Sequence, residues 1–388
     1  MMQKKGFLLA LIALFLGWSQ HIKPARDPAP EEKKELIAYL KSNWKTPEDY
    51  ILNKFADYDI ITIGEHHQIK HDVRLIQDLI PLLHKAGVYD LGIECGCSEY
   101  QSKVDSLLIA ETYDENLARW LMFKWGSYWP YQEYQDIYRK AWEFNRSLPP
   151  GAPKFRVIHL DYRVNWPLVR ENMTSELRSR VFTKGDRDDH MFQVIVDEFI
   201  NKKKKALIYV GQVHASTRFC DPVYDFNKGK NLGFNEKRMG HLVFRLIPER
   251  VFNICLHFPW PSKRSAKGYG YPAAGVIDEI MREFKDKRVG FDIKNSPFGS
   301  LRDDRTLYSA GRNDFKLSDF CDGYVFLKHF KDYEGCTLDP EFITAENFKE
   351  TIDYLPNPRL RRMIKNRPQL INYLKTKAEF KNKYPDLE

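Results

Sequence analysis

Four short stretches of this 388-residue chain put carboxylates and imidazoles where chemistry can be done. They are Gly64-Glu65-His66-His67, with His71 four residues on; Glu94-Cys95-Gly96; Asp161-Tyr162-Arg163; and Gly211-Gln212-Val213-His214. Two histidines and two carboxylates brought together suit two kinds of catalysis. They can hold a divalent metal (Mn, Co or Zn) with an open position, where bound water becomes a hydroxide nucleophile. Without a metal, an imidazole backed by a carboxylate can take a proton from water as a general base. On either reading His67 is ligand or base, Glu65 and Glu94 are orienting or metal-binding carboxylates, and His214 is second ligand or acid. Arg187 would stabilise negative charge developing on the substrate. His71 joins the ligand candidates because His67-x-x-x-His71 on a helix would put two imidazoles on one face. Asp161 is a secondary candidate, since an aspartate there reads first as a helix cap. Each residue also has a structural reading: Glu65 at a helix start, Glu94 paired with a lysine, His214 bonded to backbone in the core.

What must position these residues is a series of strands. Apolar, β-rich runs occur at 58–63, 89–94, 155–160, 206–211, 250–257, 289–293 and 323–327. Near-continuous runs such as Ile60-Ile-Thr-Ile63 and Ala206-Leu-Ile-Tyr-Val210 fit strands covered on both faces. Between the first two runs, Val73, Ile76, Leu79, Ile80 and Leu83 share one helical face, and Gly87 follows as a stop. Strand, helix, strand at these lengths implies right-handed βαβ units, hence an α/β fold with a mainly parallel sheet and helices on both faces. In such sheets ligands bind beyond the carboxyl ends of the strands. All four stretches fall there.

The segment 57–94, with Ile-Gly-Glu-His-His and then Gly-Ile-Glu at the next strand end, resembles the superfamily of ChaN-like haem-binding proteins, Tiki/TraB-type proteins and erythromycin esterases. Gly64-x-x-His67 and Gly211-x-x-His214, with Glu94 between, resemble its two-motif pattern. Arg187-Asp188-Asp189-His190-Met191 is similar to the arginine-acid stretch before the second motif, and Met239-Gly240-His241 to the Met-Gly after it. The resemblance spans about residues 50 to 260. It implies an EreA/ChaN-like α/β fold and either a hydrolase or a haem-binding, iron-uptake protein. Erythromycin esterases carry G-E-x-T-H-G, whereas here His67 stands where their threonine falls and Gln68 follows, so a macrolide substrate is not implied. Gln68 also replaces the glutamate of H-E-x-x-H, which excludes a zincin. The chain has no G-x-S-x-G elbow and no Walker loop, which argues against serine α/β-hydrolases and P-loop NTPases.

Between the second and third strands lies an aromatic block: Trp120, Phe123, Trp125, Tyr128, Trp129, Tyr131, Tyr134, Tyr138 and Trp142. Its helical spacing is that of core packing. Yet Trp125-Gly-Ser-Tyr-Trp-Pro130 is loop-like, and such a segment could form a lid gripping a flat apolar ligand. Under the ChaN-like resemblance that ligand would be haem, bound by Trp125, Trp129, Tyr131 and Tyr162, with a tyrosine or histidine as axial ligand.

Composition bounds the rest. Hydrophobic residues at 43% and charged residues at 29% are ordinary globular usage. Met1 to Lys5 is a basic region and Phe7 to Trp18 an apolar stretch of twelve, too short for the ~20 residues of a spanning helix. Residues 1–22 therefore read as a signal peptide and the protein as exported, periplasmic, at the cell surface or secreted, with an N-terminal membrane anchor as the minor reading. Six cysteines leave structural disulfides and scattered buried thiols both open. Residues 32–335 read as one α/β domain and 336–388 as a proline-interrupted helical tail or cap. Residues 359–383 carry nine basic side chains against Glu379 alone, which accounts for the whole net charge of +8. Basicity in this tail reads as a solvated helix face or a peripheral contact with an anionic surface, and gives no reason to expect nucleic acid. The expected partner is a small-molecule or peptide substrate.

Overall fold

The computed structural model describes residues 28–385 and 387; the signal-peptide reading of 1–22 lies outside them. Strands follow the chain as β1 (Ile60–Glu65), β2 (Asp90–Cys97), β3 (Arg156–Asp161), β4 (Ala206–Gly211), β5 (Asp221–Asp225), β6 (Lys230–Asn235), β7 (Val251–Leu256), β8 (Trp260–Pro261), β9 (Tyr269–Gly270), β10 (Val289–Asp292) and β11 (Gly323–Phe326). Seven of them form one sheet in the order β10-β11-β7-β1-β4-β2-β3, and the pairs β5-β6 and β8-β9 are separate two-stranded ribbons. Every pairing in the large sheet is parallel except β10 with β11. All seven apolar runs of the sequence are strands of this sheet.

Alternation along each central strand feeds two cores. Ile61, Ile63, Leu207 and Tyr209 join the helices Lys70–Lys85, Gln101–Ile109 and Gln132–Ser147 on one face. Ile60, Ile208 and Val210 meet Met191, Ile195, Met239 and Val243 from the helices Arg187–Ile195 and Met239–Leu246 on the other. Helices thus cover both faces, and burying each branched side chain contributes about 1.5–3 kcal/mol. The helix after β1 begins at Lys70, three residues before the apolar face starts, and its end is closed by Gly87 at φ +79°.

The described residues beyond 335 cap the domain and do not hang free as a tail. Leu355, Ile364, Leu370 and Leu374 belong to the same core as β1 and β2. Several of the basic residues are structural: Arg361 donates to the carbonyls of Pro167 and Val169, and Arg367 to that of Ile343. All six cysteines are free thiols, five of them buried. Among the described residues no helix is long and apolar enough to cross a membrane.

Candidate functional site

The site is built where β1 and β4 lie side by side and end together, Glu65 opposite Gly211. Two glycines allow this. A Cβ on Gly64 would come within 2.1 Å of Gln212 Oε1 and 2.9 Å of its Cα. A Cβ on Gly211 would stand 3.0 Å from His67 Nε2 and 3.3 Å from Glu94 Oε2. Each G-x-x-H motif therefore begins with the glycine that makes room for the other motif. On the next strand, β2 runs on past Glu94, with its register to β3 shifting between Ile93 and Cys97. An irregularity of this kind re-aims a side chain, and Glu94 lies within it.

Two histidine–carboxylate pairs result. His67 Nδ1 lies 2.6 Å from Glu65 Oε1, and the buried Glu65 carboxylate also accepts the hydroxyls of Tyr134 and Tyr209. His214, on the short turn of helix Gln212–Ala215, has its Nδ1 2.6 Å from Asp188 Oδ1. Asp188 is held in turn by the Met239 N–H at 2.8 Å and by Arg238 at 3.1 Å. Both rings turn Nε2 to Glu94: His67 at 3.8 Å from Oε2 and His214 at 3.6 Å from Oε1. The Gly211 N–H donates to Glu94 Oε2 at 2.8 Å, and Arg187 lies 3.2 Å from Oε1. Asp161 is no helix cap: its Oδ2 accepts Arg187 Nε at 2.9 Å and Trp125 Nε1 at 2.8 Å.

These contacts set the charges. Burial alone would raise the Glu94 pKa, but His214, His67, Arg187 and the Gly211 N–H together hold it at about 2. Burial alone would lower that of His214, but Glu94 and Asp188 outweigh it and raise it above the ordinary histidine value, against Arg187. The site thus carries a fixed carboxylate between one well-shielded imidazole and one, His67, whose side chain is one-third exposed. A cleft of about 600 Å³ opens beside it, bordered by Arg187, Asp188, His214 and Arg238 and walled by the segment 175–186.

Glu65, His67, Glu94, Arg187 and His214 are therefore brought together. His71 is not. The helix starts only at Lys70, so His67 lies in the preceding turn and the four-residue spacing has no common helical face. His71 packs edge-on against Tyr333 at 4.4 Å, with burial lowering its pKa to about 3. The remaining donors do not fit a divalent cation. Both Glu94 oxygens are engaged, one by a guanidinium that would repel a metal, and among the described residues no three His, Cys, Asp or Glu form a metal-holding group.

The aromatic lid is core. Trp125 and Trp129 are 7% and 5% exposed, and Tyr131 and Tyr162 are fully buried. Tyr131 donates to the Leu374 carbonyl and accepts from Gln68 Nε2, while Tyr162 donates to the Gly185 carbonyl at 2.6 Å. Neither hydroxyl is free to serve as an axial ligand for haem. Trp129 borders the site, edge-on to His67 at 5.2 Å, and Trp125 reaches it through Asp161. Asp188, Arg238, Tyr134 and Tyr209 are site residues that spacing does not single out. The one signal for Asp188 is its place inside the Arg187–Met191 stretch.

No family model and no curated protein matches this sequence. Among solved structures, a succinoglycan biosynthesis protein is 10% identical with a TM-score of 0.50, covering 78% of this chain and 98% of its own. A mutant of the erythromycin esterase EreC in its open conformation is 12% identical, TM-score 0.49, covering 78% and 100%. ChaN of Campylobacter jejuni, described with cofacial haem, is 13% identical, TM-score 0.36, covering 56% and 88%. The first of these likenesses is one of fold.

Proposed function

We propose that this protein is an exported hydrolase of an ester or amide bond that works by general acid–base catalysis. One observation carries the reading: two imidazoles, each with Nδ1 held by a buried carboxylate at 2.6 Å, direct their Nε2 atoms at the same fixed carboxylate. Accepting Nδ1–H, Glu65 leaves the lone pair of His67 on Nε2, where it can act on a water. His67 takes a proton from that water, whose oxygen bonds to the acyl carbon. Negative charge gathers on the former carbonyl oxygen, and Arg187 stabilises it. As the bond to the leaving group breaks, His214 gives it the proton on Nε2. Glu94 and Asp188 favour the protonated ring beforehand. Glu94 stays ionised and aligns both rings.

The test is a panel of chromogenic esters and anilides with the purified protein. His67→Ala and His214→Ala should each lower kcat by about 10²–10⁴-fold, and turnover should survive exhaustive chelation. Undiminished turnover in both variants overturns the reading, and loss on chelation that is restored by Mn, Co or Zn overturns the metal-free form. Export rests on residues 1–22 and is checked by N-terminal sequencing of protein from the culture medium or periplasm.

A further inference from the structure

The His66–Ile69 turn, which carries His67 out of β1, is held from a distant part of the chain. Within it Gln68 has φ +76°, a left-handed conformation that disfavours a residue with a Cβ. From below, the Gln68 N–H and Nε2 donate to Tyr134 and Tyr131, each at 3.0 Å. From above, residues 334–336 pair with the turn: the Cys336 N–H donates to the Gln68 carbonyl at 2.9 Å and the Lys70 N–H to that of Glu334 at 3.0 Å. Those residues are pressed in turn by the end of helix Arg367–Ala378, so closely that a Cβ on Gly335 would come within 2.0 Å of the Ala378 carbonyl oxygen. The last contact is direct. Tyr384 is hydrogen-bonded through its hydroxyl to His66 Nε2, and its ring sits edge-on to that imidazole at 5.4 Å, while Phe258 stacks on it at 5.7 Å. Phe380, Tyr384 and Leu387 close this cluster with Ile69, Phe330 and Tyr333.

We propose that the segment 380–385 is a clamp for the proposed base: by seating Tyr384 on His66 it keeps the turn in its left-handed form, and so keeps His67 Nδ1 on Glu65 and Nε2 towards Glu94. Tyr384 is a positioning residue, because it touches His66 and not the reacting atoms. The inference rests on the hydrolase reading only for its effect on turnover; the placement of His67 is measurable by itself.

Three variants test it: Tyr384→Phe, which keeps the ring and removes the hydroxyl; a chain shortened after Glu379; and the control Tyr373→Phe on the outer face of the same helical cap. Carbethoxylation by diethyl pyrocarbonate, mapped by mass spectrometry, should change severalfold at His67 in the first two variants and stay constant at His214. Turnover of a chromogenic ester should fall by about tenfold to a hundredfold in kcat with KM unchanged, the cost of a base displaced by about 1 Å. Altered His67 labelling in a protein with no turnover on any substrate would uphold the clamp and remove the hydrolase reading. Unchanged labelling and turnover in both Tyr384→Phe and the shortened chain would overturn the clamp, as would a change at His214 equal to that at His67.

Discussion

At the scale of single residues, the two imidazoles have similar partners and different environments. His214 is buried, and its raised pKa depends on Glu94 and Asp188 outweighing burial. As the proposed acid it must be protonated, so turnover should be lost as pH rises through that raised value. Asp188→Asn removes one of the two supports. The alkaline limb of the kcat profile should then move to lower pH, and a limb that stays in place would separate Asp188 from the titration. Asp188 also shows what residue types alone conceal. An acidic residue in the first turn of a helix is already explained by the helix dipole. Nothing in its spacing reveals that it faces His214 across 26 positions. His67 and His214 were legible because each follows a strand end, whereas Tyr134 and Tyr209 are ordinary core residues until their hydroxyls are seen on Glu65.

At the scale of elements, the sheet was readable because both faces of its strands are buried, which makes β1 and β4 almost uninterrupted apolar runs. The misreadings lie at element boundaries. His71 failed because a helix start cannot be placed to three residues from an apolar pattern. For the aromatic segment the core reading fits and the lid does not, because a glycine-containing loop can be buried when its aromatics pack on one another, as Trp125, Trp129 and Tyr131 do. The β1–β4 edge gives a paired prediction. Gly64→Ala meets backbone as well as side chain of Gln212 and should destabilise the fold by about 1–3 kcal/mol, read as a lower urea midpoint. Gly211→Ala has side-chain atoms of His67 and Glu94 as its three nearest neighbours and should keep its midpoint while kcat falls by at least about tenfold. Equal losses of stability would refute the distinction.

At the scale of the whole molecule, stability has its own buried charges, apart from the site. Asp278 is fully buried and shared by His257 at 3.2 Å and His329 at 3.6 Å, and His329 reaches Asp286 at 2.7 Å. This cluster ties the residues after β7 and β11 to the helix Val276–Glu283. Burial lowers the His329 pKa, but Asp278 and Asp286 raise it further, for a net increase. A group whose pKa rises on folding stabilises fully below its unfolded value of about 6.5 and ceases to do so as pH climbs through the folded value. The unfolding midpoint should therefore decline as pH rises from about 6.5 through the raised His329 value, and His329→Gln should flatten that decline. Asp278→Ala, which strips a buried partner, should cost about 3–5 kcal/mol at neutral pH. A variant with wild-type stability would show that the cluster is not coupled to folding.

The reciprocal glycines have a consequence for descent. Because Gly64 makes room for the second motif and Gly211 for the first, neither motif retains its geometry once the other has drifted. In a lineage that abandons the proposed chemistry, replacement of one glycine should release the other from constraint, so that the two motifs disappear together. Relatives of this chain are therefore better sought by the pair of glycines, one strand apart in space, than by either histidine alone.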